Sequence, residues 1–382
     1  MNNQDDVYRK LQREINKMPI AFPETDTGIE IKLLKHLFSP AEAEIALNLN
    51  MLPETLSRIY ERVKKSGIKI TAKELEETLD NLVKKGAILG AGLFESKRKG
   101  KQYSLSMLAI GMMENQVDRL SREYAEDFLQ YFKDTYHKNF YGVKTAQMRT
   151  IPINKSITPK LRVEPYNDIK AYISNLNDDI AVLNCICRQM ADVTDNKCRH
   201  SELREVCFAF RDCARFVLSK GVGRSLTKQE ALAILDRVEE AGFILQPENA
   251  REPQFLCCCC SDCCHVLRGL KMFAKPSEHF HASYYAVVDE SLCKGCKKCV
   301  KKCGMEAISI QNKVAVINLD CCLGCGVCIT VCVNNAITLK KKVKKHLPPR
   351  THETLYQKVM LERFGIVNAL KTVLKILVGR KA

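Results

Sequence analysis

Apolar positions along the chain fall into helical spacing in some stretches and strand spacing in others. Near the start, Ser39 before Pro40 begins one helix, Ser66-Gly67 ends the next, and Thr71 caps "AKELEETLDNLVKKG". "AILGAGLFESKRKGKQYSLSM" then reads as two strands joined at a basic tip of Lys97, Arg98, Lys99 and Lys101. Leu108 to Tyr136 reads as one long helix. Later, "LTKQEALAILDRVEEAGFIL" opens on a capping box, Thr227 with Glu230. Its Ala231, Ile234, Leu235 and Val238 follow at helical spacing, Gly242 stands at the C-cap, and "GFIL" reads as a strand. The final stretch mixes Val359, Leu361, Phe364, Val367, Leu370, Leu374 and Leu377 with Lys371, Lys375, Arg380 and Lys381, a basic amphipathic helix. The pattern predicts an α+β chain.

Composition changes this picture in one respect. The chain has 382 residues, 46% hydrophobic and 27% charged, which is ordinary for globular domains. No stretch approaches the roughly 20 apolar residues of a membrane span, and the polar opening "MNNQDDVYRK" lacks the apolar run of a secretory signal, so the cytoplasm is the expected location. Twenty cysteines are the anomaly. Cytoplasmic thiols stay reduced, so metal or cluster binding outranks a disulfide framework. Thiolate-held iron-sulfur clusters would also offset part of the formal charge of +16. Cysteine placement divides the chain into residues 28–107 without cysteine, a connecting helix at 108–144, a central cysteine-rich domain at 145–275, a repeat at 284–339, and a basic helix at 351–382. The lysine run of "KKKVKKHLPPR" with Pro348-Pro349 marks a linker before the last.

Within the repeat, Val287 to Ile310 matches Val316 to Leu339 at a constant offset of 29. Each half reads as strand, cysteine loop, short helix, strand, a pseudo-twofold unit. Each half also carries C-x2-C-x2-C-x3-C, the spacing of a bacterial-type [4Fe-4S] ferredoxin, and the segment resembles a two-cluster ferredoxin over 284–339. The resemblance implies one cluster on Cys293, Cys296, Cys299 and Cys332 and a second on Cys322, Cys325, Cys328 and Cys303, the fourth cysteine of each run starting a helix toward the other cluster. Zinc is the competing reading; its sites rarely show such doubled, interlocked spacing. Two departures stand out: Gly304 and Val333 replace the proline that usually follows each fourth cysteine, and Cys321 is an extra thiol, read as a buried small side chain.

Twelve cysteines remain, among them the crowded "FLCCCCSDCCHVLRGL". Neighbouring side chains diverge in most backbone conformations, so crowding suggests ligands divided between sites or mixed with packing thiols. Cys213 is read as core in an apolar helical stretch with Phe208, Phe210 and Phe216. From Arg149 to Leu270, through "CICR", "GVGRSLTKQEALAILDRVEEAGF" and the crowded block, the chain resembles uncharacterised multi-cluster ferredoxin-domain proteins of anaerobic bacteria and archaea. Asp262 stands where that family's pattern has a cysteine, and Cys258 where it has a polar residue. One or two additional iron-sulfur clusters are expected here, with ligands from Cys185, Cys187, Cys198, Cys207, Cys257, Cys259, Cys260 and Cys263. Structural zinc in the central domain, with His200 or His265 as nitrogen ligands, is the alternative.

Residues 28–107 resemble a winged helix-turn-helix domain. Fold alone does not imply DNA binding, and the helix in the recognition position would present Glu74, Glu76, Glu77 and Asp80 where phosphates approach. Protein docking or dimerisation is the stronger reading of this domain, with the helix at Leu108 to Tyr136 a candidate for pairing in a homodimer. The C-terminal helix offers two readings, contact with an anionic membrane surface or packing against protein. No dinucleotide loop, phosphate loop or activated nucleophile is present. The expected function is electron transfer through several [4Fe-4S] clusters to redox partner proteins, without substrate chemistry of its own. A redox-sensing winged-helix regulator and a subunit of a larger oxidoreductase, with the central block working on a disulfide-like substrate, are the rivals.

Overall fold

The structure, a computed structural model, describes residues 3–90, 100–159, 161, 163–343, 346–377 and 380–381. Lys97, Arg98 and Lys99 of the expected basic tip lie outside the described residues. Helices and strands are mixed, an α+β chain. It divides into two compact units, one of Met1–Thr145, Arg215–Val222 and Tyr356–Ala382, the other of Ala146–Ala214 and Gly223–Leu355.

The first unit contains α1 (Asn3–Ile15), α2 (Ile29–Leu37), α3 (Pro40–Ala46), β1 (Glu54–Thr55), α4 (Leu56–Lys65), α5 (Ala72–Lys85), β2 (Ile88–Gly90) and β3 (Gln102–Leu105). Ser39 and Thr71 each close a capping box, with Glu42 and Glu74. The strands pair antiparallel in the order β1-β3-β2. Leu75, Leu79 and Leu82 of α5 are buried with Ile59 and Val63 of α4, so the acidic residues of α5 are left to the other face. There Lys101 is bound to Asp80 at 2.6 Å and Glu76 at 3.2 Å, which cancels its charge locally.

The long helix expected from Leu108 to Tyr136 is shorter and starts later. Ala109, Ile110 and Gly111 have non-helical backbone angles, and Asp118 takes a left-handed φ of 64°. Ser121 then caps α6 (Arg122–Tyr131) through the Tyr124 N–H at 3.1 Å, and the helical path runs on through Phe132–Tyr136 to α7 (His137–Tyr141). Apolar spacing alone carries no record of those backbone breaks. The aromatic face, Tyr124, Phe128, Tyr131, Tyr136 and Phe140, is buried within its own unit, Tyr131 meeting Phe22 edge-on at 5.3 Å.

The second unit is built on five antiparallel strands in the order β7-β5-β6-β9-β8. In chain order its elements are β4 (Arg149–Thr150), α8 (Ile169–Asn175), β5 (Ile180–Asn184), α9 (Ile186–Val193), β6 (Glu205–Phe210), α10 (Arg211–Ser219), β7 (Arg224–Ser225), α11 (Lys228–Ala241), β8 (Ile244–Pro247), β9 (Phe255–Cys259) and α12 (His265–Leu270). The chain crosses between units within α10. Phe208 and Phe210 belong to strand β6 rather than to the helical stretch expected around Cys213; a left-handed Arg211, φ 55°, turns the strand into α10. Thr227 forms its capping box and Gly242 takes the left-handed C-cap of α11.

Register sorts the sheet into two faces. Phe208 faces Leu256, Cys258 faces Leu245, and these buried residues with Val182 and Phe210 form the core side. Cys207 faces Cys257, Gln246 also faces Cys257, and Cys259 follows two residues on, so the thiols share the other side.

Arg149 holds the segment before the sheet. It is 1% exposed, and its guanidinium donates to the carbonyls of Glu248, Ala250 (2.8 Å) and Tyr166 (2.6 Å). Arg149→Ala would leave three carbonyls short of a donor, a loss of about 3 kcal/mol or more. The expected result is a clearly lowered urea midpoint measured anaerobically; an unchanged midpoint would show that water replaces the guanidinium.

The same unit continues into β10 (His281–Ala282), β11 (Tyr284–Val288), α13 (Lys298–Lys302), β12 (Ile308–Gln311), β13 (Val314–Ile317) and β14 (Ile337–Lys341). β11 pairs with β14 and β12 with β13, so the first strand of each half pairs with the last strand of the other. Finally α14 (His352–Leu377) is interrupted at Gly365 (φ 74°, ψ 160°), so the expected single amphipathic helix is two pieces. Val359 before the break is buried, whereas Ile366, Val367, Leu370 and Leu374 after it are exposed. No helix among the described residues is long and apolar enough to cross a membrane.

Candidate metal centres

The two halves of the repeat build two cavities. One is lined by Cys293, Cys296, Cys299 and Cys332, the other by Cys303, Cys322, Cys325 and Cys328. The exchange of fourth cysteines follows from the strand pairing. Each half wraps its first strand against the other's last, and the residue after the short helix is carried across. The helix precedes the fourth cysteine instead of starting at it: Cys303 follows α13, and Cys332 follows a single 3-10 turn at Ile329–Val331.

Backbone N–H groups point at the sulfurs in a matched pattern. The Ala307 N–H donates to Cys303 Sγ at 3.3 Å and Ala336 to Cys332 at 3.3 Å, while Ala286 reaches Cys322 at 3.5 Å and Ala315 reaches Cys293 at 3.4 Å. Such donors stabilise thiolate and sulfide charge. The pseudo-twofold extends to the turns. Gly295 and Gly324 have φ of 61° and 62°, and an added Cβ would run into the carbonyl of Lys313 or of Tyr284. Burial pushes the Cys325 thiol up to about 12 and raises Cys328 and Cys303 as well.

Gly304 has a local cause. A Cβ there would lie 3.1 Å from the Ser261 Cβ and 3.5 Å from Ile244, so the crowded block packs where a proline ring would stand. Ser156 abuts Gly326 and the Ile153 N–H donates to the Cys325 carbonyl at 3.0 Å. The cavity of Cys303, Cys322, Cys325 and Cys328 therefore faces the five-stranded sheet's side of the unit, while Cys296 of the other cavity is exposed. Cys321 lines neither cavity; it is half-buried rather than buried, and Asn318 Nδ2 donates to it at 3.5 Å.

On the thiol side of the sheet six cysteines form a ring of neighbours. Cys185 lies beside Cys187 and Cys207, Cys257 beside Cys207 and Cys259, and Cys264 beside Cys187 and Cys259, close enough to bear on one another's charge. Strands supply Cys207, Cys257 and Cys259. A register shift after Leu183 swings the chain so that Cys185 begins α9, with Cys187 in its first turn, and Cys264 begins α12. The neighbours' S–H groups hold Cys185 and Cys264 well below the ordinary thiol range and Cys257 down to about 6, and the three donors are raised correspondingly. Gln246 lies against this ring: it is fully buried, its Oε1 accepts from Cys264 at 3.9 Å, and its Nε2 has no hydrogen-bond partner among the described residues. A buried amide beside the thiols with a donor still unpartnered suits an anionic metal–thiolate centre, so the donor set fits a bound cluster.

Cys198, Cys260 and Cys263 stand apart from the ring as a buried triad with all three sulfurs within 4.8 Å of one another. The expected central ligands thus fall into two groups: Cys185, Cys187, Cys207, Cys257 and Cys259 in the ring, and Cys198, Cys260 and Cys263 in the triad. Cys264 is a ring member that sequence reasoning left out; its place before "HVLRGL" was the available signal. Cys258 points into the core, and Cys213 is half-buried with its N–H on Gln254 at 3.1 Å. His200 is bound to the Ala241 carbonyl at 2.9 Å.

Four thiols around each of two interlocked cavities, with matched N–H donors, define a ferredoxin-type iron-sulfur segment. Residues 286–309 match the family model described as a 4Fe-4S binding domain, which includes Cys293, Cys296, Cys299 and Cys303. No curated protein and no solved structure matches the chain.

Proposed function

We propose that the protein relays single electrons through two [4Fe-4S] clusters and at least one further cluster in the six-cysteine ring. The observation that carries this reading is the pair of four-thiol cavities with exchanged fourth cysteines. Cys293, Cys296, Cys299 and Cys332 would hold one cluster, and Cys322, Cys325, Cys328 and Cys303 the other. Bound cubanes supply the one-electron couple. The chain supplies thiolates, the four backbone N–H donors that favour the more negative state, and apolar walls such as Met305, Ile308 and Ile337 that keep water away.

Cys296 is the exposed end of this path, and Lys294, Lys297, Lys298 and Lys301 around it are exposed. That surface suits a redox partner protein with an acidic face, which it would attract over distance. A DNA-regulatory role has less support, because Lys101 is tied to the acidic residues of α5. The C-terminal helix after Gly365, with its exposed Val367, Leu370 and Leu374 beside Lys371, suits a further docking contact, with protein or with an anionic membrane surface.

The test is anaerobic purification, iron and sulfide analysis, and EPR of the reduced protein. Two cubanes give about eight irons per chain and a further cubane about twelve. About twelve, with more than one reduced signal, is the expected result. About eight would remove the cluster from the ring and leave the relay to the ferredoxin pair; no iron would end the reading.

A further inference from the structure

The triad differs from the other thiol sites in scale. Cys198 Sγ and Cys260 Sγ are 3.7 Å apart, and Cys263 joins them within 4.8 Å. No other group of three His, Cys, Asp or Glu ligand atoms among the described residues is that close, the ferredoxin quartets included. The distance has a chemical meaning. Thiolates on one tetrahedral ion with metal–sulfur bonds of about 2.3 Å have a sulfur–sulfur edge of about 3.8 Å. Thiolates of a cubane each bind a different iron, and the cluster's own bonds spread them well past that edge. The triad therefore fits one ion, and the cavities of the ferredoxin segment fit something larger.

Charge supplies a second, independent observation. Arg188 is 1% exposed, and its Nε and both Nη have no hydrogen-bond partner among the described residues. It stacks on Phe243 at 4.3 Å, and the groups that bear most on its charge are the thiols Cys185, Cys260, Cys198 and Cys207, Cys198 by direct approach. A buried guanidinium without an anion is costly. Three thiolates on one divalent ion carry a net charge of −1, which offsets Arg188 on its Cys198 and Cys260 side, as the ring does on the side of Cys185 and Cys207.

Among the described residues no fourth His, Cys, Asp or Glu ligand atom lies within 4.8 Å of all three sulfurs. Asp262 accepts from the Arg199 N–H at 2.7 Å, and His200 is engaged with Ala241. Arg199 itself is 90% exposed, so the buried triad lies under a loop at the surface.

We propose that Cys198, Cys260 and Cys263 hold a single zinc ion, separate from the six-cysteine ring, with its fourth coordination position filled by water or a small exogenous donor. Zinc is a borderline-soft divalent ion that accepts thiolate sets without redox chemistry, and three protein ligands with one open position is the arrangement of its reactive sites. Arg188 balances the charge and shields it from the ring.

The full chain, purified anaerobically and dialysed against EDTA, is the material for the test. Zinc analysis is expected to give about one zinc per chain, and zinc-edge EXAFS three sulfurs at about 2.3 Å with one lighter scatterer. Cys198→Ala and, separately, Cys263→Ser are expected to lose that zinc and keep the wild-type iron content. Zinc absent after EDTA, retained in both variants, or surrounded by four sulfurs would overturn the proposal. So would loss of iron instead of zinc from these variants. That last result would place the triad on an iron cluster and leave the electron-relay reading intact, whereas an iron content of about eight in the wild type strikes only at the cluster in the ring. EXAFS on the wild type keeps the question answerable if either variant fails to fold.

Discussion

If each cavity holds a cubane, replacing Cys303 by alanine is expected to strip about four of roughly eight irons from the ferredoxin segment, and to take them from the centre of Cys322, Cys325 and Cys328. The neighbours of Cys303 in sequence, Cys293, Cys296 and Cys299, belong to the other cavity and should keep their iron with Cys332. Cys332→Ala should give the mirror result. The reason lies in the crossed strands: β11 pairs with β14 and β12 with β13, so each half carries its fourth thiol to the other. Iron analysis with EPR of the reduced protein reads the outcome. Two neighbouring reduced clusters broaden each other's signals, so either variant should sharpen the spectrum to that of one isolated centre. If Cys303→Ala and Cys293→Ala removed the same centre, each run would bind its own cluster and the crossing would be wrong. Loss of both centres from a single variant would mean something else, that metal holds this small segment folded. About 55 residues bury little apolar surface, and bound metal commonly supplies the missing stability.

What could be read from the sequence is what is local. The doubled cysteine spacing, the helix starts at Ser39 and Thr71, the capping box at Thr227 and the C-cap at Gly242 each lie within a few residues, and each is present. The helix expected from Leu108 failed because the backbone angles at Gly111 and Asp118 outrank apolar periodicity. Five of the ring's six members stand among the expected ligands, but their grouping apart from the triad could not be read. The ring joins Cys185 to Cys264 through strand registers and one register shift, and no spacing along the chain encodes which strand neighbours which. The triad was hidden for the same reason: Cys198 reaches Cys260 across a long separation, inside a block whose six cysteines look equivalent on paper.

That block offers the sharpest test of how far face, rather than crowding, decides a thiol's role. Cys257 and Cys258 are adjacent in β9, yet the strand's alternation sends them to opposite sides. Cys257 pairs with Cys207 and lies beside Cys259, in the ring with Gln246 opposite it. Cys258 pairs with Leu245 and is 1% exposed in the core with Leu256 and Phe208, where burial first of all raises its thiol well above the ordinary range. Cys257→Ala is therefore expected to cost the central domain its iron, about four per chain if the ring holds one cubane. Cys258→Ala should keep all of its iron and lose only packing, about 1 kcal/mol for one buried heavy atom. Iron and sulfide content reads the first effect and the anaerobic urea midpoint the second. Equal iron in the two variants would break the assignment of the ring as a metal centre. Iron lost from Cys258→Ala alone would mean that the core face binds the cluster, against the register of β8, β9 and β6. The two substitutions remove the same atom from neighbouring positions. Only the direction in which the strand points it can account for a difference between them.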